Sequence, residues 1–292
     1  MNHIDFRDQI SKNKRKSIFL MFFVAIVIVI LGYVISFAFD PSYFFFIMII
    51  SIIISILYTW ANFYNSDKIA ISAVKAKKAD KIKYRDFYRL VESLTVASSI
   101  PMPKLYVMDS PQINAFASGR DPKHAVICVT TGALEKLKRR ELEGVLAHEM
   151  GHIANYDIRF ITLVSVMVGM IAIISQIFLR SLWFKGGGSD NKNSGIFIII
   201  GIVLAILAPI VVSLVQLSIS RKREFTADAT AVKFTRNPNG LIGALEKIKK
   251  ENTPEKKVSK ALAPLFFSNP FKGNLTATHP PLEKRIEILK SL

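Results

Sequence analysis

The sequence predicts a mostly α-helical integral membrane protein, with four transmembrane helices and a cytoplasmic α+β domain built around a small sheet. Three observations predict it. Four long apolar runs interrupt a chain of 292 residues that is 51% hydrophobic. The formal net charge of +17 collects on the flanks of those runs, where the positive-inside bias of membrane spans places Lys and Arg. Between the second and third runs, and again after the fourth, short β-branched segments and segments of helical period alternate as in a water-soluble domain.

The elements follow in order. Met1 to Ser17 is polar and ends in Lys12, Lys14, Arg15 and Lys16, just before the apolar run Ile18 to Phe39. That run exceeds the roughly 7–15 apolar residues of a secretory signal and lacks a small-x-small cleavage site, so it stays as an anchor. About 20 residues suffice to span. Asp40-Pro41-Ser42 turns the chain into a second span, Tyr43 to Phe63, with Tyr58, Trp60 and Tyr64 as interfacial aromatics. The stretch 65–89 is basic, with Lys75, Lys77, Lys78, Lys81, Lys83 and Arg85, and is expected on the cytoplasmic side like the amino terminus.

Arg85 to Ile100 has Phe87, Leu90, Val91, Leu94 and Val96 at helical spacing and stops before Pro101 and Pro103. Lys104 to Met108 and Ala125 to Val129 read as strands, with Asn114-Ala115-Phe116 between them as a possible sheet edge. Thr131 is placed to cap a helix opening near Gly132, and Arg140 to Asn155 reads as the next helix. Phe160 to Leu179 and Ile196 to Ile219 are the third and fourth apolar runs, joined by the polar loop Lys185 to Asp190. Arg221, Lys222 and Arg223 return the chain to the positive side, leaving that loop outside. A buried core helix or a re-entrant segment is the alternative for one of these two runs. Leu241 to Lys250 is helical by period, Glu251 to Lys260 is a charged linker, and Pro281 to Leu292 should form a terminal helix. The expected units are 1–65 (amino terminus and first hairpin), 66–155 (first part of the soluble domain), 156–219 (second hairpin) and 220–292 (second part).

Composition limits the function classes. The basic excess lacks any recognition motif or interleaved aromatic-basic pattern, which argues against nucleic acid as a partner. A single cysteine, Cys128, rules out an internal disulfide and reads as a small buried hydrophobe in a strand.

The chemistry sits in Ala147-His148-Glu149-Met150-Gly151-His152. Residues four apart on a helix share a face, so His148 and His152 can aim two imidazoles at one ion while Glu149 lies beside it. Imidazole nitrogens suit zinc, and a neighbouring carboxylate can take a proton from water. The bland alternative is a core helix carrying two solvated histidines. A catalytic zinc needs a third protein ligand and an open position. Glu224 and Asp228, four apart on a predicted helix, offer the ligand and a carboxylate to accept the free ring N–H of a ligand histidine. Taken alone, their segment reads as an ordinary surface helix; the His motif gives it its meaning.

These residues, with Asn114-Ala115-Phe116-Ala117-Ser118-Gly119, Val129-Thr130-Thr131-Gly132, Glu141 to Asp157, Arg223 to Asp228 and Thr278-His279-Pro280-Pro281, resemble in order the HtpX and CAAX prenyl protease group of membrane zinc metallopeptidases, of gluzincin type. The likeness is greatest to the HtpX heat-shock proteases. It implies a zincin-like domain in which His148, His152 and Glu224 bind one Zn2+, Glu149 is the general base and Asp228 supports a ligand. It also implies an edge at Asn114, Ala115 and Phe116 that pairs with extended substrate, although Asn-Ala-Phe alone is as well read as a turn with a packed aromatic. His279 is implied as a donor to the developing oxyanion, and Arg285 as a substrate-side group whose alternative is a surface or capping charge. The function expected is endoproteolysis of misfolded or damaged membrane proteins at the cytoplasmic face of a bacterial inner membrane, as part of a stress response. Processing of prenylated carboxyl-terminal peptides is the rival within the same chemistry, and four apolar runs argue against it, since the prenyl proteases carry more spans. A non-catalytic zinc-binding scaffold is the rival from another class.

Overall fold

The computed structural model describes residues 6–36, 44–164, 221–251, 265–268 and 280–292. The first apolar run continues the polar amino terminus as one helix, α1 (Phe6–Ser36), and the second forms α2 (Phe44–Tyr64). α1 and α2 pack on each other, with Leu20, midway along α1, in one hydrophobic cluster with Tyr58 and Phe63 near the end of α2. Among the described residues, α2 is the helix long and apolar enough to cross a membrane. Its Phe45, Phe46, Ile49, Ile53, Ile56 and Trp60 are exposed, an apolar surface of the kind that lipid solvates better than water. The third and fourth apolar runs lie outside the described residues, except that 160–164 are helical and buried. The turn at Asp40 and the polar loop 185–190 also lie outside them.

The described strands are β1 (Lys77–Lys78), β2 (Lys104–Met108), β3 (Ala115–Gly119) and β4 (Ala125–Thr130). They form one sheet in the order β1-β2-β4-β3. β2 runs parallel to β4, and the other two pairings are antiparallel. Every residue of β4 is buried, which is why its Val-Ile-Cys-Val run shows no alternation. Burial also pushes the Cys128 thiol upward, away from thiolate chemistry. β3 is an edge strand, as expected. The short strand β1 was not expected: it lies in the basic stretch after the hairpin and pairs antiparallel with β2.

The remaining helices are α3 (Ser66–Ala73), α4 (Arg85–Ser98), α5 (Thr131–Lys136), α6 (Arg139–Ala154), α7 (Arg221–Thr235), α8 (Asn239–Glu251) and α9 (Leu282–Lys290). The cap of α5 is Thr130, whose hydroxyl accepts from the Ala133 N–H, one residue before the expected Thr131. Thr131 instead donates its hydroxyl to the Ser110 carbonyl. α6 is the central helix of the domain and packs against α4, α7, α8 and β3. It starts where the Glu141 carboxylate accepts from the Lys138 N–H at 2.7 Å, and it ends at Tyr156, which takes a left-handed φ of 58°. Phe87, Leu90, Val91 and Leu94 of α4 join Leu146, Met150 and Ile153 of α6 in the main core. Glycine sets how closely the neighbours approach: a Cβ on Gly144 would stand 2.5 Å from the Leu241 nitrogen at the start of α8.

Candidate metal centre

α6 turns His148, Glu149 and His152 inward, so that they are buried like the apolar residues around them. The Nε2 atoms of His148 and His152 face each other at 3.0 Å. α7 crosses α6 where Gly151 leaves room; a Cβ there would lie 3.2 Å from the Ala227 carbonyl oxygen. That close approach delivers Glu224 across 72 residues of sequence. Its carboxylate oxygens lie 3.6 Å from His148 Nε2 and 3.5 Å from His152 Nε2. Ligand atoms of the three residues all lie within 4.8 Å of one another.

The hydrogen-bond network assigns the tautomers. His148 Nδ1 meets Asp228 Oδ1 at 2.8 Å, and His152 Nδ1 meets Asp157 Oδ2 at 3.0 Å. With the ring protons drawn to those carboxylates, each Nε2 presents a lone pair. Two lone pairs and a carboxylate converging in a buried space repel one another, and a cation resolves the repulsion. His148, His152 and Glu224 would hold such an ion, since imidazole nitrogens and a carboxylate are ordinary zinc donors. The donor set of two imidazoles and one carboxylate therefore fits a divalent metal.

Glu149 stands beside this point. One carboxylate oxygen, Oε1, is buried with no hydrogen-bond partner among the described residues, and the carboxylate accepts from the Ala117 N–H of β3. Burial first, and then the Glu224 charge, push the Glu149 carboxyl up to about 7. A carboxylate poised near neutrality with an open acceptor is suited to taking a proton and handing it on.

Asp228 lies where expected and is itself held. Arg285 grips it in bidentate fashion, Nε to Oδ2 at 2.9 Å and Nη2 to Oδ1 at 2.7 Å. Burial acts to raise the Asp228 carboxyl, but the guanidinium and the His148 bond outweigh it and hold it below the ordinary value. Arg285 is 0% exposed and also donates to the Phe267 carbonyl at 3.3 Å. It stands behind Asp228 and His148, and its Nη1 lies 3.8 Å from a Glu224 oxygen. His279 lies outside the described residues.

The edge at Asn114, Ala115 and Phe116 is occupied by the chain itself. The Phe267 N–H donates to the Ala115 carbonyl at 2.7 Å, and Phe116 bridges Phe266 in antiparallel sense. The Asn114 side chain donates to the Ser268 carbonyl at 2.9 Å and accepts from the Ser268 N–H at 3.1 Å. The Phe267 ring then stands edge-on to His148, with centroids 4.9 Å apart. The sequence alone gives Leu265 to Ser268 no role; its only signal is the apolar run Ala261 to Phe267. Asp157 was also given no role, although an acid five residues past the second histidine, just beyond the helix end, can fold back on that ring.

Comparison with known proteins agrees with this geometry. The profile of Peptidase family M48 matches residues 81–292. The chain is 49% identical to the Protease HtpX homolog of Caldanaerobacter subterraneus subsp. tengcongensis over 244 residues, which is 81% of this chain and 82% of that relative. It is 41% identical to the Protease HtpX homolog of Dictyoglomus thermophilum, across all of this chain and 96% of that relative. Among solved structures, S. mikatae Ste24p matches 97% of this chain and 66% of its own at 21% identity and a TM-score of 0.48.

Proposed function

From the premise that this chain belongs to peptidase family M48 and is a metalloprotease, we propose that it is a zinc endopeptidase held in the membrane by four spans, its site open to the cytoplasm. The observation that carries the proposal is the meeting of His148 Nε2, His152 Nε2 and the Glu224 carboxylate at one buried point, with the open oxygen of Glu149 beside it. Those three residues hold the ion. Zinc, when bound, supplies a Lewis acid for the scissile carbonyl and lowers the pKa of water.

The rest is done by the chain. Glu149 takes a proton from the attacking water and returns it to the leaving amine. Asp228, fixed by Arg285, keeps the His148 ring turned with Nε2 inward. The edge of β3 takes an extended substrate backbone in place of residues 265–268, which pair with it in antiparallel sense here. His279 donates to the oxyanion.

The substrates are misfolded or damaged membrane proteins, and the hairpin of α1 and α2 keeps the catalytic domain at the surface where their loops emerge. The test is hydrolysis of an unfolded membrane protein and of a farnesylated carboxyl-terminal peptide by detergent-purified full chain, zinc-loaded and chelated, with Glu149→Gln beside it. Cleavage of the first substrate alone, lost on chelation and in the variant, is the expected result. Zinc-loaded Glu149→Gln cleaving as well as the parent would remove the assigned base, and preferential cleavage of the farnesylated peptide would replace the substrate class.

A further inference from the structure

The two ligand histidines are supported alike, and the second support leads out of the family-matched region. His148 is backed by Asp228, which is held by Arg285 of α9. His152 is backed by Asp157, whose other oxygen, Oδ1, accepts from Asn13 Nδ2 at 2.7 Å. Asn13 belongs to α1, 144 positions away and well before the matched residues 81–292.

This contact is built into the fold. Asn13 is 4% exposed and Asp157 is 0% exposed. The same Asn13 amide donates a second bond, at 3.0 Å, to the Asn155 carbonyl in the turn that ends α6, so both of its N–H groups are used there. One residue on, the Lys14 ammonium stands 4.3 Å from the Tyr156 ring centroid. About two turns further along α1, Leu20 closes a small core with Phe160, Leu163 and Val164. α1 is thereby held to the Asn155–Asp157 turn by two adjacent residues and to the helical residues that follow it by a third.

We infer that Asn13 is a positioning residue of the metal centre: through Asp157 it fixes the orientation of His152, making the amino-terminal helix a working part of the protease. The inference rests on the metal reading above. A carboxylate with one oxygen on the ring N–H and the other free to rotate leaves the imidazole loosely aimed. Pinning the second oxygen removes that freedom, and outer partners of this kind typically change metal affinity by about 10–100-fold. An amide suits the place because it is neutral, and both of its donors are needed, one by the carboxylate and one by the turn.

The experiment uses full-length protein in detergent with cobalt(II) as the probe, reading its dissociation constant and its visible absorption spectrum. The variants are Asn13→Leu, close in volume but without donors, Asn13→Ala, Asp157→Asn, the double variant Asn13→Leu/Asp157→Asn, and Lys14→Ala as a control for loosened docking of α1. The expected result is cobalt binding about 10–100-fold weaker in Asn13→Leu and Asn13→Ala, with an altered spectrum. Lys14→Ala should match the parent, and Asn13→Leu should add little once Asp157 is already Asn. Parent-like affinity and spectrum in the Asn13 variants would overturn the inference, as would full additivity in the double variant, which marks a general loss of packing. Reading two Asn13 variants protects the test against a folding failure of one. If the parent itself bound no cobalt, the metal reading would fall, and that outcome is distinct from a parent that binds and Asn13 variants that bind as well.

Discussion

Replacing Glu149 by Gln should stabilise the metal-free protein, and the gain should depend on pH in a defined way. Burial is the main reason that the Glu149 carboxyl moves from an ordinary 4.5 to about 7, with the Glu224 charge adding to it and His152 opposing. Below pH 4.5 the group is protonated in the folded and unfolded chain alike and contributes nothing to stability. Between 4.5 and about 7 the unfolded chain releases its proton while the folded chain keeps it, so stability falls as pH rises; above about 7 the loss is constant. At about 1.4 kcal/mol per pH unit, the interval corresponds to about 3 kcal/mol. Gln has nearly the same shape and never ionises, so it escapes the loss. The assay is thermal unfolding of chelator-stripped full chain in detergent from pH 4.5 to 8.5. Parent and variant should coincide at the acid end and separate through neutrality, with the variant higher by on the order of 5–10 °C at pH 8. A gap that does not change with pH, or a parent more stable than the variant at pH 8, would refute the account of Glu149 as a carboxylate whose ionisation the fold resists. The same substitution should abolish hydrolysis, so stability and activity move in opposite directions, as expected where a site stores an unfavourable charge for chemistry.

Asp228→Asn should weaken metal binding about 10–100-fold and destabilise the fold by roughly 3–5 kcal/mol, because buried Arg285 then loses its bidentate partner and keeps only the more distant Glu224 carboxylate, at 3.8 Å; metal titration and thermal unfolding measure the two effects separately. Gly144→Val should force α6 and α8 apart, since even a Cβ would meet the Leu241 nitrogen at 2.5 Å. A loss of about 1–3 kcal/mol or more is expected in thermal unfolding, with metal affinity affected less than in Asp228→Asn because the contact faces α8 and not α7.

What could be read from the sequence was local. His148 and His152 share a face because the helix repeats every 3.6 residues, and that geometry holds wherever the helix packs. The strands at Lys104 and Ala125, the amphipathic α4 and the proline-bounded start of α9 follow from the same short-range rules. Glu224 and Asp228 were legible only as a pair whose spacing matched the need for a third ligand and a ring acceptor. Their arrival at the histidines depends on Gly151 admitting α7 to within contact of α6, which no spacing encodes.

Other features came from packing alone. Asn13 and Asp157 meet because α1 docks on the end of α6, and an asparagine before an apolar run gives no sign of its partner 144 residues away. Leu265 to Ser268 lies along β3 because the edge had unpaired carbonyl and N–H groups to offer, a property of the assembled sheet. Arg285 could be assigned a charge from the sequence but not a side of the site. The sequence by itself determined which atoms could bind a metal, because donor chemistry and helical period are carried residue by residue. Only the tertiary structure decided what holds those atoms in place and what covers the edge beside them, because burial and long-range contact are properties of the packed chain.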